Sequence, residues 1–248
     1  METLSDFTSA GFIVTREVDR PSWMSAELLP PRIVSASGCI APLIPDTWCI
    51  EWTQDTQEQR IERAGAFGLD SAVLAEITAW VTARFDDTIL WPNVMVDLET
   101  ARELASRFLH ATPDVKVLEL ALHRSMTESF CHETEPPPQK PGFAPIGRQG
   151  VHEAILEGKP ATRSGKVLGF EPLVFNYTLS CSWLCNGLET AIHRTLGIRP
   201  NPYGLIANLE EACKCVEYIS RPDVGAEPGL WLPWLLVDHS RRSPVDCR

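Results

Sequence analysis

Cys181, Cys185, Glu189 and His193 follow one another at intervals of four in SCSWLCNGLETAIHRTL, residues 180–196. On a helix, side chains four apart are neighbours, so Cys185, Glu189 and His193 would run along one side. Thiol, carboxylate and imidazole are a partial ligand set for zinc, which needs a further donor. The run Cys131-His132-Glu133 is a place from which one could come. A second chemistry is nucleophilic. A thiol in the first turn of a helix is pushed toward thiolate by unpaired amides and the positive end of the dipole. Cys181 is placed for that, with His239 in VDHS as the candidate base. A third reading needs no chemistry: Trp183, Leu184, Leu188, Ala191, Ile192 and Leu196 make a continuous apolar face, and unpaired cysteine buries readily. That packing reading is preferred, with no catalytic residue, no metal and no cofactor expected.

The remaining motifs narrow the chemistry further. Of the eight cysteines, no two form a CxxC pair, so neither a zinc ribbon nor a thioredoxin-type redox motif is indicated. Cys213 and Cys215, two apart on a helix, diverge by about 200° and do not chelate together. The glycines form neither GxGxxG nor a Walker loop, so nucleotide binding has no support.

The elements that must position these residues read as follows. Apolar residues from Val73 to Phe85 recur at helical spacing, with Asp70 or Ser71 as cap. Thr88 to Val96 reads as a strand. Asp97 then caps a second amphipathic helix carrying Leu98, Ala101, Leu104, Ala105, Phe108 and Leu109. Val115 to Leu122 and Lys166 to Phe175 read as strands, and Val151 to Glu157 as a short helix. The cysteine-bearing helix is expected from about Ser182 to Leu196, ending at Gly197 and Pro200. Asn208 opens the last helix with Glu211 as its capping-box partner. Leu230 to Asp238 reads as a final strand, placed at an edge by Pro233. Glu133 to Gly150, ETEPPPQKPGFAPIGRQG, is too rich in proline and glycine for anything but loop. The first fifty residues are short strand-like pieces, among them Thr47 to Trp52, broken by proline. The expectation is one α+β domain over residues 1–248, a mixed sheet with amphipathic helices packed on it. Its N-terminal third (1–53) is β-rich and it carries the Pro-rich loop at 133–150; a layered α/β fold is the alternative.

Charge bounds the partners. The 248 residues carry 33 acidic against 22 basic side chains, a formal charge of -11 at pH 7. Such a balance opposes phosphate-backbone binding and favours encounter with basic proteins. The start METLSDFTSAGFIVTREV has no basic segment followed by an apolar core, and the longest apolar run, Leu230 to Val237, is too short to span a bilayer. A cytoplasmic location, no membrane association and no nucleic-acid partner are therefore expected.

Two resemblances bear on function. CSWLCNGLETAIHRTLGIRPNPYG resembles the nucleophile segment of papain-like cell-wall peptidases, in which a Cys-Ser pair opens a helix that ends at Gly-Ile and a nearby proline. The matching positions are Cys181, Ser182, Gly197, Ile198 and Pro200, with Trp183 standing where that family has a small residue. The resemblance implies a thiol hydrolase using Cys181 and His239. VLGFEPLVFN, SWLCNGLE and NPYGLIANLEEACKCVEYI resemble segments of uncharacterised bacterial immunity-type proteins, which accompany secreted toxins. That second resemblance covers the last third of the chain and implies a non-catalytic inhibitor of a basic partner such as a toxin. It is the preferred expectation; the thiol hydrolase and a structural zinc protein are the alternatives. The expected contacts are Asp86, Asp87, Glu133, Glu135, Glu210 and Glu211, with Trp231 and Trp234 as aromatic anchors, one of the two partly exposed.

Overall fold

The computed structural model describes residues 3–41, 57–65, 67–90, 94–134, 150–175 and 179–240. The expected strand at Thr47 to Trp52, Glu135 and the interior of the Pro-rich loop lie outside the described residues, as do Cys49 and Cys247. The strands are β1 (Phe7–Arg16), β2 (Val18–Asp19), β3 (Arg32–Ile33), β4 (Ile89–Leu90), β5 (Val94–Met95), β6 (Val115–His123), β7 (Lys166–Phe175), β8 (Leu179–Ser182) and β9 (Leu230–Asp238). The helices are α1 (Gln57–Gly65), α2 (Ser71–Thr82), α3 (Leu98–Phe108), α4 (Thr127–Glu133), α5 (Gly150–Glu157), α6 (Glu189–Leu196) and α7 (Leu209–Ile219).

The fold is α+β. Seven strands form one antiparallel sheet in the order β4-β5-β1-β6-β9-β7-β8, and β2 and β3 pair separately. Alternation along the central strands supplies both faces of the sheet. On β9, Trp231, Leu235 and Val237 join the packing that includes α6 and α7, whereas Leu232, Trp234 and Leu236 join that of α4 and α5. A third cluster gathers α1, α2 and α3 against β1, β4 and β5. At the β1 bulge, Gly11 adopts φ +95°, and a Cβ there would lie 2.3 Å from Val94 Cγ1. Only glycine lets β5 close onto β1 at that point.

Local signals place α2, α3 and α7 where the sequence predicts them. Asp70 accepts from the Ala72 and Val73 amides, Asp97 from Thr100, and Asn208 from Glu211. Each cap satisfies first-turn donors that a helix leaves open.

Two expectations are corrected. Pro233 does not mark an edge: β9 runs between β6 and β7. It is tolerated there because its partner across the β7 ladder is Pro172, while the pairing with β6 runs only from Leu235 to Asp238. The lost amide thus falls where no ladder bond is made to it. The helix expected from Ser182 to Leu196 exists only as α6. Leu179–Ser182 is instead strand β8, at the edge of the sheet, and residues 183–187 form turns that end with Gly187 at φ +64°.

Candidate thiol centre

The turn between β8 and α6 brings cysteines together that helical spacing would have kept apart. Cys181 ends up on the edge strand, paired across the ladder with Val174 of β7. Cys185 folds back over Ser182: its sulfur accepts from the Ser182 amide at 3.0 Å, and its S–H lies 3.0 Å from the Ser182 carbonyl. Asn186 Nδ2 donates to the same carbonyl, and Asn186 Oδ1 accepts from the Glu227 amide, which ties the 220–229 loop to the turn. The third sulfur comes from a distant segment. Cys39 lies 142 residues before Cys181, yet their sulfurs are 3.9 Å apart. The ligand atoms of Cys39, Cys181 and Cys185 all lie within 4.8 Å of one another. Cys39 is exposed, and the other two are half-buried.

A buried carboxyl fixes both segments. Glu171 of β7 is fully buried and accepts from Ser35 Oγ at 2.6 Å and from the Ala36 amide at 2.8 Å. Ser182 hydrogen-bonds to the same carboxyl. Ser35 then accepts from the Ser37 amide, and Ser37 from the Cys39 amide, a chain of short-range bonds leading to the Cys39 thiol. Burial pushes the Glu171 pKa up, and the three donors oppose that shift. The carboxyl is thereby a hydrogen-bonding hub that joins the segment of Cys39 to the strand of Cys181.

The three thiols share their protons. The hydrogen bond from Cys185 brings Cys39 down to about 6 against the opposing effect of burial, with the bonds from Cys181 and Ser37 adding to it. Cys181 is raised, first by burial, and Cys185 is raised first by its hydrogen bond to Cys39. The arrangement thus favours the thiolate at Cys39 and disfavours it at Cys181 and Cys185. The charged neighbours acting on Cys39 and Cys181 are each other and Glu227. A negative trio beside a carboxylate suits a cation better than an anionic substrate.

The other expected site residues are placed elsewhere. Cys181 and His239 are not brought together. Cys181 aligns through Val174 with Trp231, and His239 lies eight residues further along β9, about 26 Å away at 3.3 Å per residue. Nor does Cys181 open a helix, and its pKa is raised rather than lowered. His239 is instead buried against Glu119, with Nε2 2.8 Å from the carboxylate. The Cys185, Glu189 and His193 set also does not form. Glu189 is buried and accepts from the Ser25 amide, and His193 is within hydrogen-bonding distance of Arg199. Only Cys185 of that set belongs to the thiol trio.

The expected partner contacts do not share a surface. Asp86 and Asp87 are exposed in the turn between α2 and β4, at the sheet edge opposite β8. Glu133 is exposed at the end of α4, on the face packed by Leu232 and Trp234. Glu210 and Glu211 sit in the first turn of α7, on the other face, with Glu210 paired to Lys214 at 2.7 Å. Trp231 and Trp234 are 3% and 0% exposed, so neither is an anchor at the surface. Among the described residues the exposed tryptophan is Trp23, at 58%. Its cue was context: it stands in a Pro- and Ser-rich turn with no apolar periodicity around it.

Fold and site together define an α+β protein with a three-cysteine centre at one edge of its sheet. No family model matches the chain, and no curated protein or solved structure matches it either. Among the described residues, no helix is long and apolar enough to cross a membrane.

Proposed function

We propose that the chain is a binding protein whose centre is the trio Cys39, Cys181 and Cys185, and that the trio takes a thiophilic metal ion of the zinc(II) or copper(I) class. The observation that carries this reading is the convergence of three sulfurs, from two segments distant in sequence, within 4.8 Å. A metal held about 2.3 Å from each sulfur needs sulfurs about 3.8 to 4.0 Å apart. The Cys39–Cys181 separation of 3.9 Å already meets that requirement. Three protein ligands leave a further coordination position open to water or to a ligand brought by a partner. Binding would displace the remaining thiol protons, so affinity rises with pH.

Purified reduced protein, titrated with cobalt(II) as a zinc surrogate and assayed by elemental analysis after zinc loading, is expected to bind one equivalent, with thiolate-to-cobalt charge-transfer absorption. Cys39→Ser, whose side chain is exposed, keeps the fold and weakens binding by 10-fold or more, on the order of what loss of a supporting group costs a metal site. Absence of the absorption band under reducing conditions removes this reading.

A second reading is favoured by the formal charge of -11. It is the inhibitor or immunity-type protein that neutralises a basic partner, the acid surplus speeding encounter. On this reading, calorimetry with basic nuclease domains gives binding that weakens as salt is raised, because screening shortens the reach of surface charge, and weakens again on Asp86→Lys with Asp87→Lys. Binding indifferent to both changes rules the charge-driven mode out.

A further inference from the structure

We propose that the thiol centre is also an oxidative modification site, in which a peroxide joins Cys39 to Cys181 and so expels the metal. This rests on the metal-binding reading above, and it adds the regulation of that site. Cys39 also hydrogen-bonds to Cys185, so the choice between its two partners is made by how each is held. The two sulfurs are 3.9 Å apart, and a disulfide needs them to close to about 2.05 Å, a movement within reach of side-chain rotation. Cys39 is exposed, so a small oxidant reaches it directly. Cys181 is on the four-residue edge strand β8, bound by a ladder on one side only. Cys185, by contrast, is held in place by two 3.0 Å contacts to Ser182. The remaining reduced cysteines that the structure describes are elsewhere: Cys131 is on α4, Cys215 is buried and its thiol is pushed up to about 12 by burial, and Cys213 shares its helix.

The step balances. The Cys39 sulfur attacks one oxygen of the peroxide, the O–O bond breaks, and a sulfenic acid forms as water or alcohol leaves. The Cys181 thiolate, released by the metal, then attacks the Cys39 sulfur, the S–O bond breaks, and the departing hydroxide takes a proton from solvent and leaves as water. Two electrons pass from the thiol pair to the peroxide. The product removes two of three sulfur ligands at once, and a single thiol does not retain the ion. A thiol reductant reverses the step.

The test uses the full chain, zinc-loaded and metal-free, treated with hydrogen peroxide and mapped by non-reducing peptide mass spectrometry. The expected result is a cross-link between the Cys39 peptide and the peptide containing Cys181 and Cys185, with release of the one bound zinc. The cross-link persists in Cys185→Ser and disappears in Cys181→Ser. Dithiothreitol restores both the thiols and the zinc capacity. Oxidation of Cys39 to sulfinic acid without a cross-link, a cross-link that survives Cys181→Ser, or a cross-link with zinc retained would each overturn the inference and leave metal binding standing. A reduced protein that binds neither cobalt nor zinc would instead remove the underlying reading, whatever peroxide does. Because Cys39 is exposed, Cys39→Ser provides a folded control in which no cross-link forms.

Discussion

Trp234→Ala destabilises the protein by about 3–5 kcal/mol, the range for truncating a fully buried aromatic. Trp234 has no exposed surface and lies on β9, at the middle of the sheet. Its ring meets Phe130 of α4 edge-on, with centroids 5.7 Å apart, and Phe130 in turn meets Phe175 of β7 at 4.9 Å. Removing the indole therefore opens a cavity between the sheet and α4, and the surroundings are strands that cannot collapse into it. The indole Nε1 has no hydrogen-bond acceptor among the described residues. Trp234→Phe consequently keeps most of the packing and gives up no hydrogen bond, and it costs less than half as much as the alanine variant. Urea denaturation followed by circular dichroism checks both. If Trp234 were a partner-binding anchor at the surface, the alanine variant would instead unfold at the wild-type midpoint.

The second large effect is at the pair Glu119 and His239. Both side chains have no exposed surface, and Glu119 also accepts from the Thr162 amide at 3.1 Å and from its hydroxyl at 3.2 Å. His239 is held in turn by its own amide, which donates to the Val117 carbonyl, and by Arg102, which donates to the His239 carbonyl. Gly165 is required beside the ring, because a Cβ there would lie 2.5 Å from His239 Cε1. Glu119→Ala leaves the imidazole buried with no acceptor and the half-buried Thr162 amide without its partner. Breaking a buried pair in this way costs about 3–5 kcal/mol. Glu119→Gln retains an acceptor oxygen and costs less. A double-mutant cycle with His239→Ala gives a coupling of about 1–3 kcal/mol, since the two groups share one network. If the single and double substitutions simply add, the pair does not stabilise the fold. These values also locate His239 in the structural core, which is why it offers no base to Cys181.

Much of the architecture was legible because it rests on local physics. The α2, α3 and α7 helices each combine a cap, Asp70, Asp97 or Asn208, with apolar residues at helical spacing. Strands β6, β7 and β9 are apolar runs that fill both faces of a sheet. The misread helix failed for an identifiable reason. Trp183, Leu184 and Leu188 satisfy a helical period, but they pack from a turn, and Asn186-Gly187 was the local signal that broke it. Pro233 failed because the penalty for proline depends on whether its amide position is needed, and that is set by Pro172 on a strand sixty residues earlier.

What the sequence by itself determined is the α+β class, the elements with strong periodicity and caps, and a surplus of acidic over basic residues. All of these follow from short-range preferences and from composition. What only the tertiary structure decided is the company each reactive group keeps. Cys39 meets Cys181 and Cys185 because β7 and its buried Glu171 hold both segments, and His239 meets Glu119 because β6 and β9 are neighbours. No spacing along the chain encodes a contact across 142 residues. It arises from the pairing of strands, which closes distant segments on one another only once the sheet has formed.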